Sequence, residues 1–202
     1  MSGNLYAIVA PSGAGKTSLV EALLKEEPQI RLSVSYTTRA PRSGEVNGRD
    51  YQFVSRSEFE ALLAQDEFLE HAEVYGNLYG TSKSWITTAR AAGDDVLLEI
   101  DWQGATQVRR IFPDMVDIFI MPPSFATLEQ RLTARGKDAP DVIARRIAGA
   151  RQEMQHISEA DFIVVNDDFA TALRDLRAIV QAARLTRARQ LVRQADIISK
   201  FV

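Results

Sequence analysis

The chain has 202 residues, 24 Lys and Arg against 27 Asp and Glu, a formal net charge of −3, 46% apolar residues, two His and no Cys. That length suits one large domain, or one carrying an inserted module, and should bury about 70% of its unfolded surface without a disulfide or metal staple. The missing Cys excludes a disulfide scaffold, a thiol nucleophile and Cys-ligated metal centres, and the slightly acidic balance argues against a nonspecific nucleic-acid binder, so any anionic ligand must meet a local cluster of positive groups.

The opening, Met1 to Leu5, lacks the basic stretch of a secretory leader, and no apolar run approaches the roughly 20 residues of a membrane helix. A cytoplasmic protein without membrane partners is the expectation. Leu5 to Ala10 is a short apolar run with β-branched members, the pattern of a strand buried on both faces of a parallel sheet. A glycine-bearing turn, Pro11 to Gly15, follows. Lys16 to Glu26 has helical spacing in Leu19, Val20, Leu23 and Leu24, and Pro28 ends it. Arg31 to Tyr36 alternates and reads as a strand.

From Thr37 to Gly80 the texture changes. Short β-like pieces (Tyr51 to Val54, Leu69 to Tyr75) alternate with turns at Asn47-Gly48 and Gly76-Asn77. One short helix sits between them, with a capping box spelled by Ser55 to Glu58. This stretch reads as an inserted small subdomain. The α/β rhythm then resumes with a helix from Ser82 to Ala92, stopped by Gly93. Strands follow at Val96 to Ile100 and Val116 to Met121. Helices are expected at Ser124 to Arg135 and at Asp141 to Ile157, the second with Ile143, Ile147, Ala150, Met154 and Ile157 on one face. A strand at Phe162 to Val165 and a long helix from about Asp168, with a core-facing Leu173, Leu176, Ile179 and Val180, close the chain. This alternation implies a parallel sheet with helices on both faces.

The sharpest motif is Ala10-Pro11-Ser12-Gly13-Ala14-Gly15-Lys16-Thr17, between the first strand and the first helix. Loop amides and the helix N-terminus form a cradle for phosphate. Gly13 and Gly15 allow close approach, Lys16 can reach the β- and γ-phosphates, and the Thr17 hydroxyl can bind Mg²⁺. Gly-Lys-Ser/Thr alone occurs by composition in about one chain of this length in ten; the strand–loop–helix setting is what gives it meaning. Ala10 stands where the strict motif has Gly, a position open to any residue of negative φ. Glu99 and Asp101 end a buried strand, where ligands of open α/β sheets bind, and could hold the waters of Mg²⁺.

Four further segments narrow the reading: Ser33 to Tyr51, with Ser35, Arg39 and Arg42; Phe68 to Glu70 with Gly76 to Thr81; Glu99 to Gly104; and Val164 to Asp168. On these, and over nearly its whole length, the chain resembles the guanylate kinase family, whose members move the γ-phosphoryl of ATP to GMP. The resemblance implies a three-layer α/β/α parallel sheet of the P-loop NTPase type, with an inserted α+β subdomain and a helical lid. The core would be 1–36, 82–130 and 158–202, the GMP-binding subdomain 37–81 and the lid 131–157. ATP and GMP would be the substrates, with Mg²⁺ accompanying ATP.

The resemblance assigns residues as well. ATP falls to Ala10 through Thr17, Arg135 and Asn166, the last near adenine. Arg39, Arg42, Tyr51 and Tyr79 match the groups that hold the GMP phosphate, a dianion suited to guanidinium forks. Ser35, Glu70 and Thr81 match the guanine readers, with Asp101 open between guanine and magnesium. A carboxylate accepts from guanine N1–H and N2–H₂ but faces a bare acceptor on adenine, a mismatch able to reject the wrong base by about 10⁴-fold. Arg131, Arg135 and Arg146 match lid arginines that fold over the phosphates. With Lys16, Arg39 and Arg42 they would supply catalysis by positioning and charge, without a general base.

Two rivals are weighed. A catalytically silent phosphopeptide-binding module of the same shape would degrade the phosphate loop, which is intact here. A sugar-phosphate kinase on the same scaffold would have no use for Glu70 with Ser35 and Thr81. His71 and His156 lack metal-ligand spacing, and Trp85 and Trp102 read as packing residues. The tail, Ala195 to Val202, is a candidate surface for self-association.

Overall fold

The computed structural model describes residues 2–74, 76–134 and 140–201. In chain order the elements are β1 (Leu5–Val9), α1 (Lys16–Glu26), β2 (Ile30–Leu32), β3 (Tyr36–Thr37), β4 (Gln52–Phe53), α2 (Arg56–Ala64), β5 (Phe68–Val74), β6 (Asn77–Ser82), α3 (Lys83–Ala91), β7 (Asp95–Glu99), α4 (Trp102–Ile111), β8 (Val116–Met121), α5 (Phe125–Ala134), α6 (Pro140–Glu153), a 3₁₀ segment (Met154–Glu159), β9 (Phe162–Val165), α7 (Phe169–Arg184), α8 (Arg187–Arg193) and α9 (Ala195–Ile198).

Among the described residues, five strands form a parallel sheet in the order β2-β7-β1-β8-β9. The central strand β1 is buried along its whole length, as its unbroken apolar run requires. Successive side chains feed opposite faces. Tyr6 and Ile8 pack with Leu97, Ile118 and Ile120 against α1 and α7, whereas Leu5, Ala7 and Val9 pack with Val96, Leu98 and Phe119 against α3 and α4. Each large aliphatic side chain buried this way stabilises the fold by about 1.5–3 kcal/mol. A second, mixed sheet has the order β4-β3-β6-β5, with β3–β4 parallel and β3–β6 and β5–β6 antiparallel. Among the described residues, no helix is long and apolar enough to cross a membrane.

Several elements differ from the sequence expectation, each for a physical reason. The alternating stretch Arg31 to Tyr36 is two strands in two sheets. Ser33 N still bonds Leu97 O of the parallel sheet at 2.9 Å, while Ser35 O accepts from Gln52 N of the small sheet at 2.9 Å. Alternation reports which faces are buried, not which sheet supplies the partners. Helix α4 was not anticipated; it starts on the Asp101 side chain, which accepts from Gly104 N at 2.8 Å, and buries Ala105 and Val108. The single helix expected from Asp141 to Ile157 stops at Glu153 and tightens into the 3₁₀ segment. Its supposed common face is therefore divided: Ile143, Ile147 and Ala150 pack on Leu128 and Leu132 of α5, whereas Met154 and Ile157 pack on the core beneath β8. The closing helix ends at Arg184, after which α8 and α9 carry the chain onward.

Candidate active site at the carboxyl ends of the parallel strands

The loop after β1 is shaped by two residues in the left-handed region, Gly13 and Gly15, both at φ +93°. Gly15 is doubly constrained, because a β-carbon there would lie 2.3 Å from Asn166 Nδ2. Between them Ala14 is fully buried and its N–H donates to Pro11 O at 3.0 Å. Helix α1 then begins without a side-chain cap and without an acid in its first turn. By contrast α2, α3, α4 and α7 are capped by Ser55, Ser82, Asp101 and Asp168. The first amides of α1 and the positive end of its dipole are thus left for an anion.

The loop is docked on the end of β7. Lys16 Nζ donates to Ile100 O at 3.0 Å and Thr17 Oγ1 to Glu99 Oε1 at 2.6 Å. A hydroxyl and a carboxylate side by side next to a phosphate cradle are hard oxygen donors and fit Mg²⁺. Among the described residues no three His, Asp or Glu gather closely enough to hold a metal. A cation here would therefore complete its shell with water and nucleotide oxygens.

The helices beyond β8 reach back over this loop. Arg146 of α6 donates to Ser12 Oγ through Nε at 2.9 Å and Nη2 at 2.7 Å. Arg131 of α5 donates through Nη2 to Asn166 O at 2.9 Å. Asn166 is buried and its Nδ2 donates to Ala14 O at 2.7 Å, which places this side chain beneath the phosphate loop. Arg135 lies outside the described residues.

Glu153, at the end of α6, was missed by the sequence reading. One of its carboxylate oxygens is sealed from solvent without a hydrogen-bond partner among the described residues. Burial pushes its pKa up, while Lys16 and the Ser12 backbone N–H pull it down and Asp101 pushes it up further. The signal available in the sequence was its place seven residues, two helical turns, after Arg146.

A second cluster lies on the small sheet. Between Phe68 and Glu70 the β5–β6 register shifts by a bulge, so that Phe68, Leu69 and Glu70 are all buried. Glu70 is 5% exposed and accepts a short hydrogen bond from the fully buried Thr81 hydroxyl. Ser35 Oγ lies 3.4 Å from Thr81 Oγ1. On its other side Glu70 is pressed against α4, where a β-carbon on Gly104 would sit 2.8 Å from Oε2. Burial raises the Glu70 pKa from 4.5 to about 7, against the Thr81 hydrogen bond and with help from the charge of Asp101. The three predicted base readers are therefore one cluster, with Asp101 next to it through the α4 cap.

The third cluster is aromatic and cationic. The Arg39 guanidinium forms a two-point pair with Glu45, at 3.0 and 2.9 Å, and also donates to Ala40 O at 2.7 Å. It lies 5.4 Å from the Tyr51 ring centre. The Tyr51 and Tyr79 rings meet edge to face at 6.0 Å. Glu45, which also accepts from Arg42 N at 2.6 Å, was not singled out in the sequence. Arg42 itself is exposed. Trp102 stacks on the His156 ring at 3.5 Å and Trp85 lies under Arg31, in keeping with packing roles.

Known proteins resemble this chain over nearly its whole length. The guanylate kinase family model matches residues 2–183. The chain is 56% identical over 202 residues to a guanylate kinase of Dechloromonas aromatica, covering all of both chains. It is 59% identical over 199 residues to one of Thiobacillus denitrificans, covering 98% of this chain and 95% of that one. Among solved structures, that of guanylate kinase from Anaplasma phagocytophilum superposes with a TM-score of 0.79 at 35% identity, covering 93% of this chain and 89% of that one.

Proposed function

The chain belongs to the guanylate kinase family and transfers the γ-phosphoryl of ATP to GMP, giving ADP and GDP; from that premise we propose how its three clusters divide the work. The phosphate loop, with Lys16, receives the β- and γ-phosphates of ATP. The Glu70, Thr81 and Ser35 pocket reads guanine. Arg39, Arg42, Tyr51 and Tyr79 receive the GMP phosphate. The observation that carries this reading is the shared wall: Lys16 bonds Ile100 O, and four residues later Gly104 is pressed against Glu70.

Phosphoryl transfer of this type asks the protein for alignment and charge rather than covalent chemistry. Lys16 neutralises charge growing on the bridging and terminal oxygens of ATP. Arg39, already oriented by Glu45 and the Tyr51 ring, supplies a fixed fork to the acceptor phosphate. Arg131 and Arg146 add positive charge from the lid side. Thr17 and Glu99, with Asp101 through water, are the residues that would hold Mg²⁺, which supplies charge neutralisation on the phosphates when bound. Ionised Glu70 accepts from guanine N1–H and N2–H₂, and Thr81 and Ser35 serve the O6 edge.

Residues 37–81 form the acceptor subdomain and 131–157 the lid, both closing on substrate to exclude water from the transfer. Cytoplasmic action fits a chain without Cys that consumes ATP.

The test is a coupled assay of ADP formation across GMP, AMP, CMP, UMP and ribose 5-phosphate. GMP is expected to be preferred over AMP by about 10⁴-fold in kcat/KM. Comparable turnover of AMP or of the sugar phosphate would remove the guanine assignment, and no turnover of any acceptor would favour a binding module.

A further inference from the structure

Asn166, the first residue after β9, is 4% exposed and sits where three parts of the molecule meet. Its N–H donates to Met121 O at the end of β8 at 2.8 Å. Its C=O accepts from Arg131 Nη2 at 2.9 Å, and its Nδ2 donates to Ala14 O of the phosphate loop at 2.7 Å. The loop backbone is moulded to this side chain, since any β-carbon on Gly15 would collide with Nδ2.

The bond to Ala14 O has a directional consequence. A trans peptide holds its C=O and the next N–H on opposite sides of a rigid plane. Fixing Ala14 O on Asn166 therefore turns the Gly15 N–H to the other face of the loop, the face a phosphate would occupy. Without that anchor the Ala14–Gly15 plane could rotate, because Gly15 has little steric preference of its own. Only a donor can serve there; an acceptor of the same shape would face Ala14 O with like partial charge.

The same residue fixes a cation. With Nη2 on Asn166 O, the Arg131 guanidinium is held at the loop, and its buried Nη1 has no hydrogen-bond partner among the described residues. An unbonded guanidinium N–H in a sealed position calls for an acceptor, and a nucleotide phosphate oxygen supplies one.

We infer that Asn166 is a positioning residue for phosphoryl transfer. Its side chain aims the Gly15 amide and its carbonyl aims Arg131, so loop and lid arginine present one preset donor array. This rests on the reading of residues 10–17 as the ATP phosphate site. It differs from an adenine contact, which would act on ATP binding alone.

The experiment compares Asn166→Ala and the isosteric Asn166→Asp with the unaltered enzyme, by steady-state kinetics in ATP and GMP and by thermal unfolding. The expected result is a loss in kcat of about 10²-fold with KM for GMP changed less than about twofold, the pattern of misplaced transition-state contacts. Asn166→Asp should lose more than Asn166→Ala, although it fills the same space. The Asn166→Ala/Arg131→Ala pair should lose less than the product of the two single losses, because losing the side-chain anchor on Ala14 O also lets the Asn166 carbonyl that holds Arg131 shift.

A kcat within about threefold of normal in both variants, a rise in KM for ATP at unchanged kcat, or a full multiplicative loss in the pair would each overturn the inference. Lys16→Met separates this from the underlying reading. If Lys16→Met is inactive while both Asn166 variants remain fast, the phosphate site stands and the positioning role falls. If Lys16→Met is itself active, the phosphate site falls.

Discussion

The Glu70 carboxyl offers the sharpest quantitative test. In the ligand-free pocket its pKa stands at about 7 against an ordinary 4.5, because burial removes the water that would stabilise the charge. Each unit is worth 1.36 kcal/mol, so holding Glu70 ionised in the empty pocket costs about 3 kcal/mol. Between the two pKa values the unfolded chain has lost this proton and the empty native pocket keeps it. Stability from this group therefore declines as pH rises from 4.5 to about 7 and is level above that. With Glu70 as the proposed guanine reader, guanine would reverse the cost, because N1–H and N2–H₂ would donate to the carboxylate and pull its pKa back down. GMP binding should accordingly expel a proton near neutral pH and weaken by up to about tenfold per unit below pH 7.

The GMP phosphate titrates near pH 6 as well, so the measurement is a difference between the enzyme and its Glu70→Gln variant. Calorimetry in buffers of unlike ionisation heat, from pH 6 to 8, counts the proton. The variant should bind GMP less tightly at pH 8, lose the extra proton release, and unfold less readily at pH 8 by as much as about 3 kcal/mol. Equal pH slopes and equal proton counts in the two proteins would refute the account. Guanine would then be read by a group other than a buried, ionising carboxylate.

Three further outcomes are expected. Lys16→Met should lower kcat by about 10³-fold or more while the melting temperature stays within a few degrees, since among the described residues Lys16 makes one hydrogen bond, to Ile100 O. Gly104→Ala should raise KM for GMP by about tenfold with KM for ATP unchanged, because the new methyl would press on Glu70 Oε2 from 2.8 Å; steady-state kinetics in each substrate decide it. Glu153→Gln removes a negative charge that burial already disfavours beside Lys16, so ADP should bind several-fold more tightly by titration calorimetry; weaker binding would show that the carboxylate helps hold the nucleotide.

How much of this was legible in the chain depends on the range over which each signal acts. The phosphate loop was readable because strand, glycines, lysine and helix are consecutive, although the distant Asn166 that holds Ala14 O leaves no mark in that local order. Glu70 was not readable on its own. It follows Leu69, and simple alternation would put one of the pair in solvent; the bulge that buries both is created by β6, paired from residues further along the chain. Helix α4 escaped because its start is a side-chain cap by Asp101, a residue whose neighbour Glu99 drew it into a metal reading. The Ser33 to Ser35 crossover escaped because passing between sheets leaves the burial pattern unchanged. Glu45 carries no periodic signal, and the two-turn spacing of Glu153 from Arg146 reports a shared helix face but not burial, since an ion partner or a buried carboxylate is defined by what the fold brings to it.

With the site assignment proposed above, the stretch from Glu99 to Gly104 would register the two substrates to each other. Glu99 takes the Thr17 hydroxyl, Ile100 takes the Lys16 ammonium, Asp101 caps α4 and Gly104 receives Glu70. On the proposed assignment, donor and acceptor sites are therefore both measured from one strand end, beside the central strand β1. An in-line transfer loses about 10²-fold for an ångström of misplacement, so a common rigid origin is worth more than two pockets placed separately. The arginines have different origins, Arg39 on the small sheet and Arg131 and Arg146 on α5 and α6. On that assignment, charge comes from elements other than the one that sets the distance between the reacting phosphates. A substitution at the strand end itself, Glu99 to Asp101, should for that reason disturb both substrates together, whereas Gly104 touches only the Glu70 side and one in the lid should disturb turnover more than either affinity.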